Sequence, residues 1–191
     1  MSIPDAPVTK LDLSHLNTEA WSFALQQQTV QLATCSAQGL PEASYAPYVE
    51  RERQLYIYIS EIARHYANLA GSGRCAALFI ESEAEAKTPF ARQRLALQCS
   101  AQEVTRGSEA FEQVMALFRE RFGKMMNVLE PMQDFHLYQL TPSQGSYVTG
   151  FARAYRMSGD KLDAISHRND EGHRSSNSAT QEALAQALNA A

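Results

Sequence analysis

Cysteine is scarce in this chain: Cys35, Cys75 and Cys99 are the only three, and they lie far apart. An odd number with no CxxC or CxxCH spacing excludes a disulfide framework of the secreted kind, and covalent attachment of a prosthetic group through that motif. Free thiols suit a reducing cytoplasm, and small buried hydrophobes are the simplest role for all three. Basic residues are also in deficit. Seventeen Lys and Arg against 21 Asp and Glu leave a net charge of −4 and a pI near 5.7, which excludes a general nucleic-acid surface. No run approaches the roughly 18 apolar residues of a membrane-spanning helix. The opening MSIPDAPVTKLDLSHL has no basic stretch followed by an apolar core, so no secretory signal is expected there. There is no internal repeat.

What is present fits one domain with appendages. A chain of 191 residues, 45% hydrophobic and 20% charged, can bury about 70% of its unfolded surface. The segment to about Asn17 is polar, carries Pro4 and Pro7, and is expected to lie extended. A helix is predicted over Thr18–Gln28, with Trp21, Ala24 and Leu25 on one face. Val30, Leu32 and Thr34 alternate with Gln31, Ala33 and Cys35 and announce a strand, closed by a turn at Ala37-Gln38-Gly39. Ser44–Glu50 and Leu55–Ser60 continue an antiparallel meander. A short helix over Ala63–Ala70 ending at Gly71 comes next, then strands over Cys75–Glu81 and Phe90–Ser100.

The clearest helix runs over Ser108–Met126. Ser108 is its N-cap, and Phe111, Val114, Met115, Phe118, Phe122 and Met125 form one apolar stripe. That stripe is core packing rather than a cofactor box. Phe135–Leu140 and Ser146–Arg156 read as the last strands, separated by a Pro142/Gly145 turn, with Gly159-Asp160 ending the regular pattern. Ser178 and Gln181 resemble a capping box for an Ala-rich terminal helix. Six or seven antiparallel strands with interspersed helices predict a mainly β, α+β protein built on a closed or half-open barrel, which removes exposed edges.

The run TVQLATCSAQGLPEASYAPYV, followed by LYIYISEIARHYANL and CAALFIE, resembles the FMN-binding split barrel of the pyridoxamine-phosphate-oxidase-like superfamily. Further on, EAEAKTPFARQRL, RERFG, MQDFHLYQL, GSYVTGFARAY and EGHR together resemble a narrower group, the HugZ/HutZ-type bacterial haem-degrading proteins. The likeness covers about Thr29 to His173. It implies residues 1–17 as an N-terminal extension, 18–160 as the split-barrel domain, and 161–191 as a ligand-bearing loop with a short terminal helix. It further implies a homodimer with the site between subunits, haem b as ligand, and oxidative opening of the porphyrin with release of iron; the cytoplasmic location rests on the free thiols. Haem, O2 and an electron donor are the implied partners.

Carried over residue by residue, the histidine of the GHR motif falls on His173 as the axial iron ligand. The aspartate of the QDF motif falls on Asp134, beside that imidazole. The arginines of the FAR-x-RL strand fall on Arg92 and Arg94. His65 closes the IARH motif in a secondary role. These residue types suit the chemistry. A neutral imidazole ligates haem iron, and a hydrogen bond to its second nitrogen tunes its donor strength. Arginine presents a permanently charged fork of donors. Equal strand parity would let Arg92 and Arg94 face one pocket, one towards the oxygen side of the haem and one towards a propionate.

Plainer roles stand beside each. A histidine in a polar tail is ordinarily solvated, and Asp134 can be a simple strand-start carboxylate. Arg92 and Arg94 can pair with Glu81, Glu83 and Glu85, and His65 can pack as an ordinary interfacial residue. His136 is the rival iron ligand, ahead of His15 and His167. An apolar rim including Tyr45, Tyr48, Tyr56 and Tyr58 would be buried in a dimer. Two other functions remain open: an FMN-binding oxidoreductase and a non-catalytic haem carrier. Against FMN, the strand SYAPYVE carries no Lys or Arg, and Arg64 is the one strong phosphate cation in the Ala63-Arg64-His65 turn.

Overall fold

A computed structural model describes residues 13–150, 153–168 and 186. Its centre is a six-stranded antiparallel barrel. β1 (Thr29–Cys35), β2 (Pro41–Arg51), β3 (Gln54–Ser60), β4 (Arg74–Ile80), β5 (Arg94–Val104) and β6 (Phe135–Gly150) follow the spatial order β3-β2-β1-β4-β5-β6, and a β3–β6 pairing closes the ring. β7 (Arg153–Ser158) and β8 (Ala164–His167) extend the sheet beyond β6. The predicted class is therefore observed.

The period of two in β1 places Val30, Leu32 and Thr34 inside, as its alternation requires. β3 obeys a different rule, because all five residues of its centre are buried. Leu55, Ile57 and Ile59 fill the barrel, while Tyr56 and Tyr58 lie under the outer helix α3 (Glu109–Phe122). The interior is completed from α1 (Ser14–Leu25), whose Leu16, Ala20, Trp21, Phe23 and Ala24 join the core. Tyr48 secures that helix by donating its hydroxyl to the Ala24 carbonyl at 2.6 Å. Of the four tyrosines expected at an exposed rim, Tyr48, Tyr56 and Tyr58 are thus buried, and only Tyr45 is exposed, at 67%.

Several expected boundaries shift for identifiable reasons. The first helix is Ser14–Leu25, displaced towards the N-terminus from Thr18–Gln28. α2 (Arg64–Ser72) runs through Gly71 and stops at Gly73, whose N–H caps the Leu69 carbonyl. Ser108 does cap α3, accepting from the Phe111 N–H at 3.2 Å. The helix breaks at Gly123, where φ is +56° and ψ is −129°, and resumes as α4 (Lys124–Leu129). The expected turn at Pro142/Gly145 is absent, because β6 runs unbroken for 16 residues. Its ladder to β5 steps from Gln144 opposite Gln98 to Pro142 opposite Cys99, so a bulge at Ser143 absorbs the proline. Gly145 serves a close approach instead, since a Cβ there would meet the Met157 Cβ at 3.1 Å. Gly159-Asp160 does not end the regular pattern, because β8 pairs with β7 beyond it.

Candidate functional site

The predicted site residues occupy two regions. Asp134 stands at the entrance to β6. Its Oδ2 accepts the Ser60 hydroxyl at 2.8 Å, and its carbonyl accepts the Glu61 N–H at 2.8 Å. The loop that carries it is organised by Arg106. That guanidinium donates to the carbonyls of Glu130 (3.1 Å), Met132 (3.0 Å) and Phe135 (2.6 Å), and to the Tyr58 hydroxyl (2.9 Å). Five donors in a planar fork suit a loop whose carbonyls converge on one point. Burial raises the Tyr58 hydroxyl above its ordinary value, with Arg106 opposing.

His136, two residues along the same strand, is clamped. Its Nδ1 lies 2.6 Å from Glu103 and its Nε2 2.7 Å from Glu61, while its ring stacks on Tyr66 with centroids 4.8 Å apart. Burial alone would lower its pKa, but the two carboxylates outweigh burial and raise it. With a carboxylate at each ring nitrogen, His136 is held as a charged imidazolium, whereas an iron ligand must offer a free nitrogen lone pair. Beside it, burial, reinforced by Glu103 and Tyr66, pushes the Tyr138 hydroxyl up to about 12. His65 sits on α2, half-buried; desolvation lowers its pKa and Glu42 opposes.

Arg92 and Arg94 lie elsewhere. The residues before β5 form a 3-10 turn, Pro89–Ala91, so Phe90 to Gln93 are not strand and the parity expected of Arg92 does not apply. The Arg92 guanidinium turns back to donate to the Glu81 carbonyl (Nε at 2.8 Å) and reaches Glu83 at 3.3 Å. Gln93 and Glu81 close the same connection through the Glu81 N–H to Gln93 carbonyl bond at 2.9 Å. Arg94 opens β5 opposite Ile80 and Val148, and its Nη1 donates to the Arg92 carbonyl at 3.1 Å.

One consequence is geometric. Arg94 pairs with Val148 at one end of the β5–β6 ladder, whereas Val104 pairs with Leu137 at the other, beside Asp134. At about 3.3 Å per residue, Arg94 and Asp134 are separated by some 40 Å of strand contour. The two residues therefore sit at opposite ends of the β5–β6 ladder. His173 lies outside the described residues. Among the described residues no group of three or more His, Cys, Asp or Glu is placed to hold a metal ion.

Sequence reasoning missed Arg106, Ser60, Glu61, Glu103 and Tyr66. Their roles come from cross-strand register and a loop clamp, for which no local motif exists.

A closed six-stranded barrel with an extended final strand, flanked by helices α1, α2 and α3, defines a split-barrel protein. Residues 16–149 match the family described as pyridoxamine 5'-phosphate oxidase, and the chain belongs to that family. Within it, the chain is 45% identical over 159 residues to the haem oxygenase HutZ of Vibrio cholerae, covering 83% of this chain and 90% of that protein. The crystal structure of HutZ from Vibrio cholerae, there called a haem storage protein, superposes with a TM-score of 0.67 at 41% identity, over 70% of this chain and 94% of that one. Campylobacter jejuni ChuZ gives a TM-score of 0.77 at 31% identity, over 86% of this chain and 67% of that one.

Proposed function

We propose that this protein binds haem between two copies of the chain and opens the porphyrin ring oxidatively, releasing iron. The observation that carries this reading is the 45% identity to a haem oxygenase across 90% of that enzyme's length. Bound haem supplies the iron and the ring carbon that is oxidised, with O2 and an external electron donor as co-reactants. The chain supplies the rest. His173, in EGHR, would ligate the iron as a neutral imidazole. Asp134, fixed through Oδ2 by Ser60 and by the Arg106-clamped loop, can accept the second ring N–H at Oδ1 and set the imidazole's orientation. Arg94 suits a propionate or the oxygen side of the haem, as a permanently charged donor at a strand opening. Arg92 holds the Glu81–Gln93 connection that positions it.

The placement of Arg94 and Asp134 at opposite ends of the β5–β6 ladder supports a site assembled from two copies. So does the outer face of β1, β2 and β4, where Ala33, Ala43, Tyr45, Ala76 and Leu78 surround Gln31 in a mainly apolar surface. The flavin alternative gains little. β2 has no Lys or Arg before Arg51, and the Arg64 guanidinium faces Glu42 at 3.6 Å. A haem carrier is the second reading, favoured by the storage role given to HutZ in its crystal structure. Free thiols accord with a cytoplasmic site of action.

Hemin titration of the full chain beside His173→Ala, followed by ascorbate under air, tests the proposal. The expected result is a sharp Soret band that is lost or shifted in the variant and bleaches on reduction. A stable reduced spectrum would leave a carrier. No saturable band, with a yellow flavin-bearing preparation instead, would overturn the haem reading.

A further inference from the structure

The two buried cysteines face one another across neighbouring strands. Cys75 on β4 is in register with Cys99 on β5, as directly opposed partners of an antiparallel pair. Opposed residues in such a pair have Cα atoms about 4.5 or 5.5 Å apart, and both values fall within the roughly 4.4–6.8 Å that a disulfide spans. Successive side chains alternate across a strand, so Cys75 and Cys99 project to the same face, into the barrel core. Cys35, by contrast, is exposed on β1.

We propose that Cys75 and Cys99 are a peroxide-reactive dithiol that closes into a cross-strand disulfide between β4 and β5. Access comes from a cleft of about 590 Å³ whose lining includes Cys75, Cys99, Ser72, Gly73, Arg74 and Ser143. The thiols are nearly covered, at 7% and 4% exposure, so the reagent that suits them is small and uncharged. Hydrogen peroxide meets that requirement. The β6 bulge at Ser143 lies beside Cys99 and interrupts the ladder there, which gives β5 local freedom to adjust its side-chain torsion.

The Cys99 S–H, as a hydrogen-bond donor, favours the Cys75 thiolate and holds it below the ordinary thiol value against burial, while Cys99 itself is raised. Cys99 thus stands opposite Cys75 as its hydrogen-bond partner, and attack from Cys75 gives the following sequence. Its thiolate displaces hydroxide from hydrogen peroxide and becomes a sulfenic acid. The Cys99 sulfur then attacks that sulfenic sulfur, forming the S–S bond and releasing water. In sum, two thiols and one hydrogen peroxide give one disulfide and two waters.

The test uses the full chain carrying Cys35→Ser, which removes the exposed thiol and leaves the buried pair. The protein is treated with hydrogen peroxide, alkylated with iodoacetamide under denaturing, non-reducing conditions, and digested with trypsin. The expected product is a cross-linked pair of peptides, 75–87 and 95–106, about 2 Da lighter than the two reduced peptides together and separated by dithiothreitol. Both cysteines are then lost to alkylation together. Full alkylation of both after peroxide, or Cys75 carried to a sulfinic acid with Cys99 still alkylated, overturns the proposal. In the Cys99→Ala variant the Cys75 sulfenic acid should be captured by dimedone. If that variant does not fold, the mapping on Cys35→Ser decides alone.

Discussion

His136 makes the protein's stability depend on pH in a direction that can be stated in advance. Its ring is held between Glu103 and Glu61, and its pKa lies above the unfolded value of about 6.5. The charged ring is favoured by the fold, so its contribution is fully present below about pH 6.5 and fades as pH rises through the raised folded value. The two carboxylate side chains are about half exposed, at 51% and 47%, so water screens each contact. Each is then worth about 0.5–1 kcal/mol, and the pair about 1–2 kcal/mol. For a chain of this size that corresponds to roughly 2–8 °C in Tm. Thermal unfolding of the wild type and His136→Gln should therefore differ most at pH 6, with the difference narrowing to a constant remainder by pH 9. A residual gap independent of pH is expected from the lost stacking on Tyr66 and from Glu61 and Glu103 left facing each other. A gap that stays constant from pH 6 to 9, or widens as pH rises, would refute the assignment of this clamp.

Two further outcomes test the packing. Leu97 is fully buried in the barrel, so Leu97→Ala should cost about 2–5 kcal/mol, measured as the shift in urea midpoint at unchanged slope. Gly145→Val should destabilise by about 1–3 kcal/mol, because its Cβ meets Met157 at 3.1 Å and Leu97 Cδ2 at 3.3 Å; a neutral result would mean that β7 moves freely over β6.

The elements legible in the sequence are those whose signal is local. β1 announced itself by alternation, and α3 by a cap and a 3.6-residue stripe, since both patterns are set by one strand or helix against one core. β6 was misread because Pro142 and Gly145 ordinarily mark turns. The bulge at Ser143 that accommodates the proline depends on β5, far away in sequence. The tyrosines of β3 looked like a rim because a strand buried on both faces shows no period; α3 covers the outer face, and nothing in LYIYIS says so. The same limit governs the site. Asp134 is a candidate through its motif alone, whereas its partner Ser60 and the Arg106 clamp are visible only once β3 and β6 are paired. Arg92 follows a strand-like pattern in sequence, but the 3-10 turn that Thr88 and Pro89 start takes it out of β5.

The ring closure between β3 and β6 bears on how the chain reaches its native state. Leu55 pairs with Leu140 and Ser60 with Phe135, contacts that span about 75 to 85 residues of chain. The β1–β2 and β2–β3 hairpins join near neighbours and can form early, whereas the seam must wait until α2, β4, β5 and α3 have been laid between its two edges. Long loops closed late make folding slow, in the range of milliseconds to seconds typical of barrels rather than helical bundles. Until then β3 carries an unpaired edge of apolar and aromatic residues. On a ribosome or during refolding, that edge is where a newly made chain is most exposed to pairing with the wrong neighbour.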